Sequence, residues 1–189
     1  MKIMFRSLGL VAVLALSTLL PSCDKVKDAI RINIPTQTVN ADFQIGIVST
    51  AGTVQESGFQ WGINLDSTIK VSNPDLGISN IKQAKIKSIV LTLNNADQTD
   101  KWSSFSSAEA GFASNAGGTV GSFTTFASIP SIAESYSSTS LEIPVSDIDF
   151  KDQFNATIFY YKLKATARRA TSKVLTGTAT IKFDVVAGL

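Results

Sequence analysis

The chain has 189 residues with 17 basic and 15 acidic side chains, a formal net charge of +2, one cysteine and no histidine. One cysteine cannot close an internal disulfide, and without histidine the commonest general base and a usual zinc ligand are missing. The near-balanced charge lacks the basic domain or stripe expected of a nucleic-acid partner.

In chain order, two cations, Lys2 and Arg6, precede an apolar run from Leu8 to Leu20. As a helix this run of 13 residues is about 20 Å long, too short for a hydrocarbon core of about 30 Å and suited to a cleavable export signal. It closes on Pro21 and Ser22, just ahead of the only thiol, Cys23. Leu20-Pro21-Ser22-Cys23 resembles the lipobox of bacterial lipoproteins, although Pro21 replaces the small or β-branched residue of the stricter motif. The resemblance implies a signal peptide over residues 1–22 and acyl chains on Cys23 as the first mature residue. Two or more such chains, at about 0.8 kcal/mol per buried methylene, anchor a protein to a membrane effectively permanently. The 167 residues from Cys23 onward carry equal numbers of acids and bases, and suffice for one domain.

Residues 23–35 read as a charged tether and 36–189 as a single domain. Val39, Ala41, Phe43, Ile45 and Ile47 alternate with polar neighbours, the period-2 signature of a half-buried strand. After a turn at Ala51-Gly52, a second strand is expected with Phe59, Trp61, Ile63 and Leu65 on one face, forming a hairpin with the first. Alternation stops between Asp66 and Ile81, where Ser72-Asn73-Pro74-Asp75 has the cap, early proline and acid of a helix start. Ala84 to Leu93 resumes as a strand, central in its C-terminal half, with Ile86 and Val90 on one face and Ile89, Leu91 and Leu93 on the other. Residues 94–140 are rich in small polar residues. Their spaced aromatics, Trp102, Phe105, Phe112, Phe123 and Phe126, favour short packed strands near 109–114, 121–129 and 138–143 over a free linker. An Asp-rich connection leads to two long alternating segments, Thr157 to Ala167 and Leu175 to Val185, which read as a C-terminal hairpin.

About eight strands and at most one short helix predict an all-β fold, a two-sheet antiparallel β-sandwich of immunoglobulin-like or jelly-roll-like form. The order of pieces is a lipobox, a strand over Val39 to Val48, a Lys-rich strand from Lys82 to Ile89, Ser106-Ser107-Ala108-Glu109 and the closing hairpin. This order resembles uncharacterised β-sandwich lipoproteins common in Bacteroidota. The resemblance implies a fold and an address in the cell envelope, and no activity.

Few constellations carry chemistry. Ser67 to Lys70, Ser79 to Lys82 and Ser22 to Lys25 fit S-x-x-K, a serine that a lysine would activate, but no K-T-G partner accompanies them. Asp147, Asp149, Asp152 and Asn155 offer hard oxygen ligands for Ca²⁺ without the glycine and terminal glutamate of an EF-hand loop; caps and Asx turns are the plainer reading, so no metal is expected. Arg168, Arg169 and Lys173 flank the last turn, where they would meet phosphate or an anionic glycan, or simply solvate the turn. Asp66-Ser67-Thr68 resembles a short O-glycosylation signal of exported proteins in that phylum, with Ser67 as acceptor. Trp102, in a polar stretch, is the candidate exposed aromatic for stacking on a ligand, while Trp61 on a strand face reads as core.

The expectation is a non-enzymatic envelope lipoprotein without cofactors, lipid-anchored at the outer membrane on its outer or periplasmic face. It would bind a glycan or an envelope protein and no nucleic acid. The alternatives are a fimbria-like subunit, which needs an unpaired strand edge, and a glycoside hydrolase built on two carboxylates alone.

Overall fold

The computed structural model describes residues 31–62, 65–113, 123–155 and 158–188. Cys23, the apolar run and most of the tether lie outside them, as does Ser22 to Lys25. Among the described residues there are eight strands: β1 Arg31–Ile45, β2 Val54–Gly62, β3 Ile81–Leu93, β4 Phe105–Ala113, β5 Phe123–Ile129, β6 Ser140–Ile143, β7 Ile158–Ala167 and β8 Leu175–Gly188. One α-helix, α1 (Leu65–Ser72), and short 3₁₀ turns complete the described chain. Among the described residues no helix is long and apolar enough to cross a membrane.

The strands form two antiparallel four-stranded sheets, ordered β1-β8-β3-β6 and β2-β7-β4-β5. Strand β1 pairs with β8, β2 with β7, β3 with β6 and β4 with β5, so the chain is one antiparallel ribbon folded at the β4–β5 connection and rolled into a sandwich. That is jelly-roll topology, and it decides between the two sandwich forms expected from the sequence.

The same pairing corrects both expected hairpins. Strands β1 and β2 lie in different sheets, as do β7 and β8; each pair is joined by a connection that crosses the sandwich. For β7 and β8 the apolar faces expected to be shared within one hairpin are instead buried from different sheets, Leu163 and Ala165 from one and Leu175, Ala179 and Ile181 from the other. β1 also begins at Arg31, with Ile34 buried, so residues 31–35 assigned to the tether belong to the sandwich. Pro35, which has no N–H to give a ladder, sits at a register shift between Ile34 and Gln37, where β1 is an edge strand and tolerates it.

Leu65 opens α1 instead of closing β2. Leu65 and Ile69, one helical turn apart, are buried, and Asp66 and Lys70 pair on the exposed side. The Ser72-Asn73-Pro74-Asp75 sequence ends this helix and does not start one. Asn73 N–H donates to Ile69 O, the proline disfavours helix at the residue before it, and the Asn73 side chain accepts from Asp75 N–H in an Asx turn. In β3 a register shift between Ile86 and Ser88 puts Ile86 on the core side with Ile89, Leu91 and Leu93; strict alternation would have set it on the other face.

The core is the inner faces of the two sheets. Phe43, Trp102 and Phe105 pack at one place, with ring centroids 6.4 and 5.9 Å apart along the chain of contacts. Phe112, Phe126, Phe150 and Tyr161 pack at another, at 4.8 to 6.3 Å. Aromatic pairs at such distances add about 0.5–1.5 kcal/mol beyond area burial. Burial also pushes the Tyr161 hydroxyl far above its ordinary pKa. The β5 edge is closed by backbone bonds from Ser128 to Pro144 and from Ser146 to Phe126.

Candidate functional site

The outer face of the β1-β8-β3-β6 sheet is a lattice of short polar side chains. Alternation puts Thr176, Thr178 and Thr180 of β8 on the side opposite buried Leu175, Ala179 and Ile181, and the register sets Asp42 and Asn40 of β1 beside Thr178 and Thr180. Thr180 Oγ1 donates to Asn40 Oδ1 at 2.8 Å, and Thr178 Oγ1 to Asp42 Oδ1 at 3.0 Å. At the end of this lattice an open cleft of about 630 Å³ is lined by Asp42, Phe43, Gln44, Gly58, Asn94, Thr176 and Gly177.

Two asparagines at the end of β3 fix this corner. Asn94 Nδ2 donates to Thr178 Oγ1 at 3.1 Å, and Asn95 holds Thr176 N–H on its Oδ1 while its Nδ2 reaches Val174 O. Behind them the Phe43 ring is seated on Gly177: a Cβ there would stand 2.4 Å from Phe43 Cζ and 2.6 Å from Thr92 O. Gly58 has no such constraint, its nearest neighbour to a built Cβ being Tyr161 O at 4.0 Å.

The residues singled out from the sequence fall elsewhere. Trp102 corrects the expectation of an exposed aromatic: it is fully buried in a 3₁₀ turn, and its indole N–H donates to Thr139 O at 2.9 Å. Arg168, Arg169 and Lys173 are brought together, and each donates to groups of its own chain. Arg168 donates to Ser103 O and Ile132 O, Arg169 to Thr99 O and Ser103 Oγ, and Lys173 pairs with Asp97 at 2.6 Å. Buried Asp100 completes this clamp by accepting from the amide and hydroxyl of Ser172. Lys173, with backbone amides of Thr99 and Asp100, holds the Asp97 carboxyl well below the usual carboxylate range.

The aspartates of the Asp-rich connection diverge. Asp147 pairs with Lys85, and Asp149 Oδ1 accepts from the amides of Ala84 and Lys151, a cap that ties the connection to β3. Among the described residues no group of three or more His, Cys, Asp or Glu is placed to hold a metal ion. Ser67 is exposed on α1. Its neighbour Asp66 takes Lys70 Nζ at 2.5 Å and Ile78 N–H at 3.0 Å, and the lysine first and the amide second hold that carboxyl low. Lys70 is thus paired with the carboxylate one helical turn before it.

In the sequence the cleft residues Asp42, Gln44 and Thr176 are only the polar half of two alternating strands, and Asn94 only the first residue of the polar stretch after a third. What unites them is the β1-β8-β3 order, and no local signal encodes it.

No protein-family model and no curated protein matches the chain. Solved structures of capsid proteins resemble it at a distance. The decameric BFDV capsid protein is 11% identical over 84% of this chain and 99% of its own, at a TM-score of 0.37. Turnip yellow mosaic virus follows at 13% identity over 81% of this chain and 95% of its own, at 0.26. At such scores the likeness says nothing about this chain, and the jelly-roll assignment rests on its own strand order.

Proposed function

We propose that the protein is a non-enzymatic envelope lipoprotein, a jelly-roll binding module held at the outer membrane by acyl chains on Cys23. The observation that carries this reading is the thiol placed at the end of the apolar run and followed, after seven intervening residues, by β1. That spacing keeps the start of the sandwich within about 30 Å of the anchor even when fully extended. A non-enzymatic role is supported by the employment of the reactive groups: Lys70, Lys85 and Lys173 are each paired with an aspartate, and Arg168 and Arg169 donate to loop carbonyls.

Metabolic labelling with an alkyne palmitate, followed by membrane fractionation, tests the anchor. The wild type takes up label and stays with membranes, and Cys23→Ala loses the label and is released. An unlabelled wild type, or a Cys23→Ala protein that stays equally membrane-bound, defeats the reading. Proteolysis of intact against lysed cells then assigns the outer or the periplasmic face.

A further inference from the structure

We infer that the cleft at the end of β1, β8 and β3 is a binding site for a neutral saccharide, a step that deepens the binding-module reading and rests on it. Its volume of about 630 Å³ lies in the range of about 300–1,000 Å³ typical of small-molecule sites. Its chemistry is selective. Among the described lining residues there is no cation, so sulfated, phosphorylated and carboxylated ligands find no counter-charge. Hydroxyl groups do find partners: Asp42, Gln44, Asn94 and Thr176 are planar amides, a carboxylate and a hydroxyl, together able to accept from and donate to adjacent sugar hydroxyls.

Asp42 is the charged member of the cleft. Asp66, Asp97, Asp147 and Asp184 each face a lysine ammonium within 4 Å, whereas Asp42, like Asp100 in the clamp, is oriented by a neutral hydroxyl. Thr178 occupies Oδ1 and is itself fixed by Asn94, so the relay Asn94 to Thr178 to Asp42 sets the carboxylate plane and leaves Oδ2 for a ligand hydroxyl. Charge-assisted bonds of that kind are about twice as strong as neutral ones. The shelf is ordered before any ligand arrives, because Asn95 pins Thr176 and Val174 at its back. Preordered polar groups lose less entropy on binding than mobile ones. Gly58 lines the cleft without a side chain of its own, while the missing side chain of Gly177 makes room for the Phe43 ring behind it. The site also lies at the opposite end of β1 from Arg31, away from the tether.

The test is retention of the fluorescently labelled full-length protein, in detergent, on an array of neutral, sulfated and sialylated oligosaccharides. The expected result is retention on neutral glycans, reduced at least tenfold by Asp42→Ala and, independently, by Gly58→Leu. The second variant adds bulk at a cleft-lining position whose Cβ would stand at ordinary contact distance from Tyr161 O, 4.0 Å, and unchanged thermal unfolding will separate loss of binding from loss of fold. No retained glycan, retention confined to sulfated or sialylated ones, or retention that survives both variants overturns the inference. Failure of the anchor leaves this assay unaffected, since it is read in detergent. Cleavage of a retained glycan would defeat the non-enzymatic reading and leave the site standing.

Discussion

Gly177 shows how much one residue decides at the corner where core and cleft meet. Phe43 needs the space above it, and a methyl group there meets the ring and the Thr92 carbonyl, which belongs to a paired strand and has little room to move. Overpacking of this kind costs about 1–3 kcal/mol. Gly177→Ala is therefore expected to lower Tm by several degrees, at about 2–4 °C per kcal/mol for a chain of this size. Gly58→Ala, where a Cβ meets only ordinary contacts, is expected to leave Tm unchanged or slightly raised. Equal melting of the two by calorimetry would show that β1 and β8 can separate to admit the methyl. Trp102 teaches the complementary lesson. Its surroundings from Asp97 to Ser104 are polar in sequence, which suggested exposure, yet those polar groups satisfy one another and Arg169 while the indole turns inward. Polarity of a stretch reports the hydrogen bonds it makes as well as contact with water, and sequence does not tell the two apart.

At the scale of elements, the strands themselves were legible because period-2 alternation records one buried and one solvated face, and most of the strand segments expected from the pattern coincide with observed ones. Their partners were not. Consecutive strands usually lie side by side, but here only β4 and β5 pair with a neighbour in sequence, and alternation carries no information about which distant strand supplies the ladder. The candidate site suffered the same loss, since Asp42, Asn94 and Thr176 become neighbours only through β8. The connection between β7 and β8 shows what replaces a tight hairpin turn: it is held against the 97–104 segment by Arg168, Arg169, Lys173 and Ser172. Its ion pair gives a pH signature. Asp97 has a folded pKa below the ordinary 3.8, so its contribution is complete above that value and is lost as pH falls below it. In urea titrations between pH 6 and pH 2, the wild-type midpoint should fall along the acid limb more steeply than that of Asp97→Asn, which has no proton to take up there. Parallel limbs would mean that Lys173 and Asp97 are too well solvated to couple to folding.

For the whole molecule, rolling one ribbon into a sandwich places both ends of the first sheet together: Arg31 stands opposite Gly188 at one end, and Ile45 opposite Leu175 at the other. If acyl chains on Cys23 hold the protein, the Arg31 end faces the bilayer, and Asp42, eleven residues further along β1, stands about 35 Å beyond it at about 3.3 Å per residue. The cleft would thus be presented at the membrane-distal pole, where a ligand approaches without crossing the headgroup region, and the fold would then act as a spacer as well as a scaffold. This orientation is measurable with a single thiol-reactive donor dye, because acyl chains on Cys23 would occupy the native cysteine. With the lipidated protein in vesicles carrying an acceptor lipid, a donor on Asn33→Cys is expected to transfer energy more efficiently than one on Thr50→Cys, both positions being exposed and lying toward opposite ends of the sandwich. Equal transfer from the two would mean that the sandwich lies along the membrane with β1 parallel to it. The cleft would then face the bilayer surface laterally, and its ligand would have to be sought among the glycans of that surface.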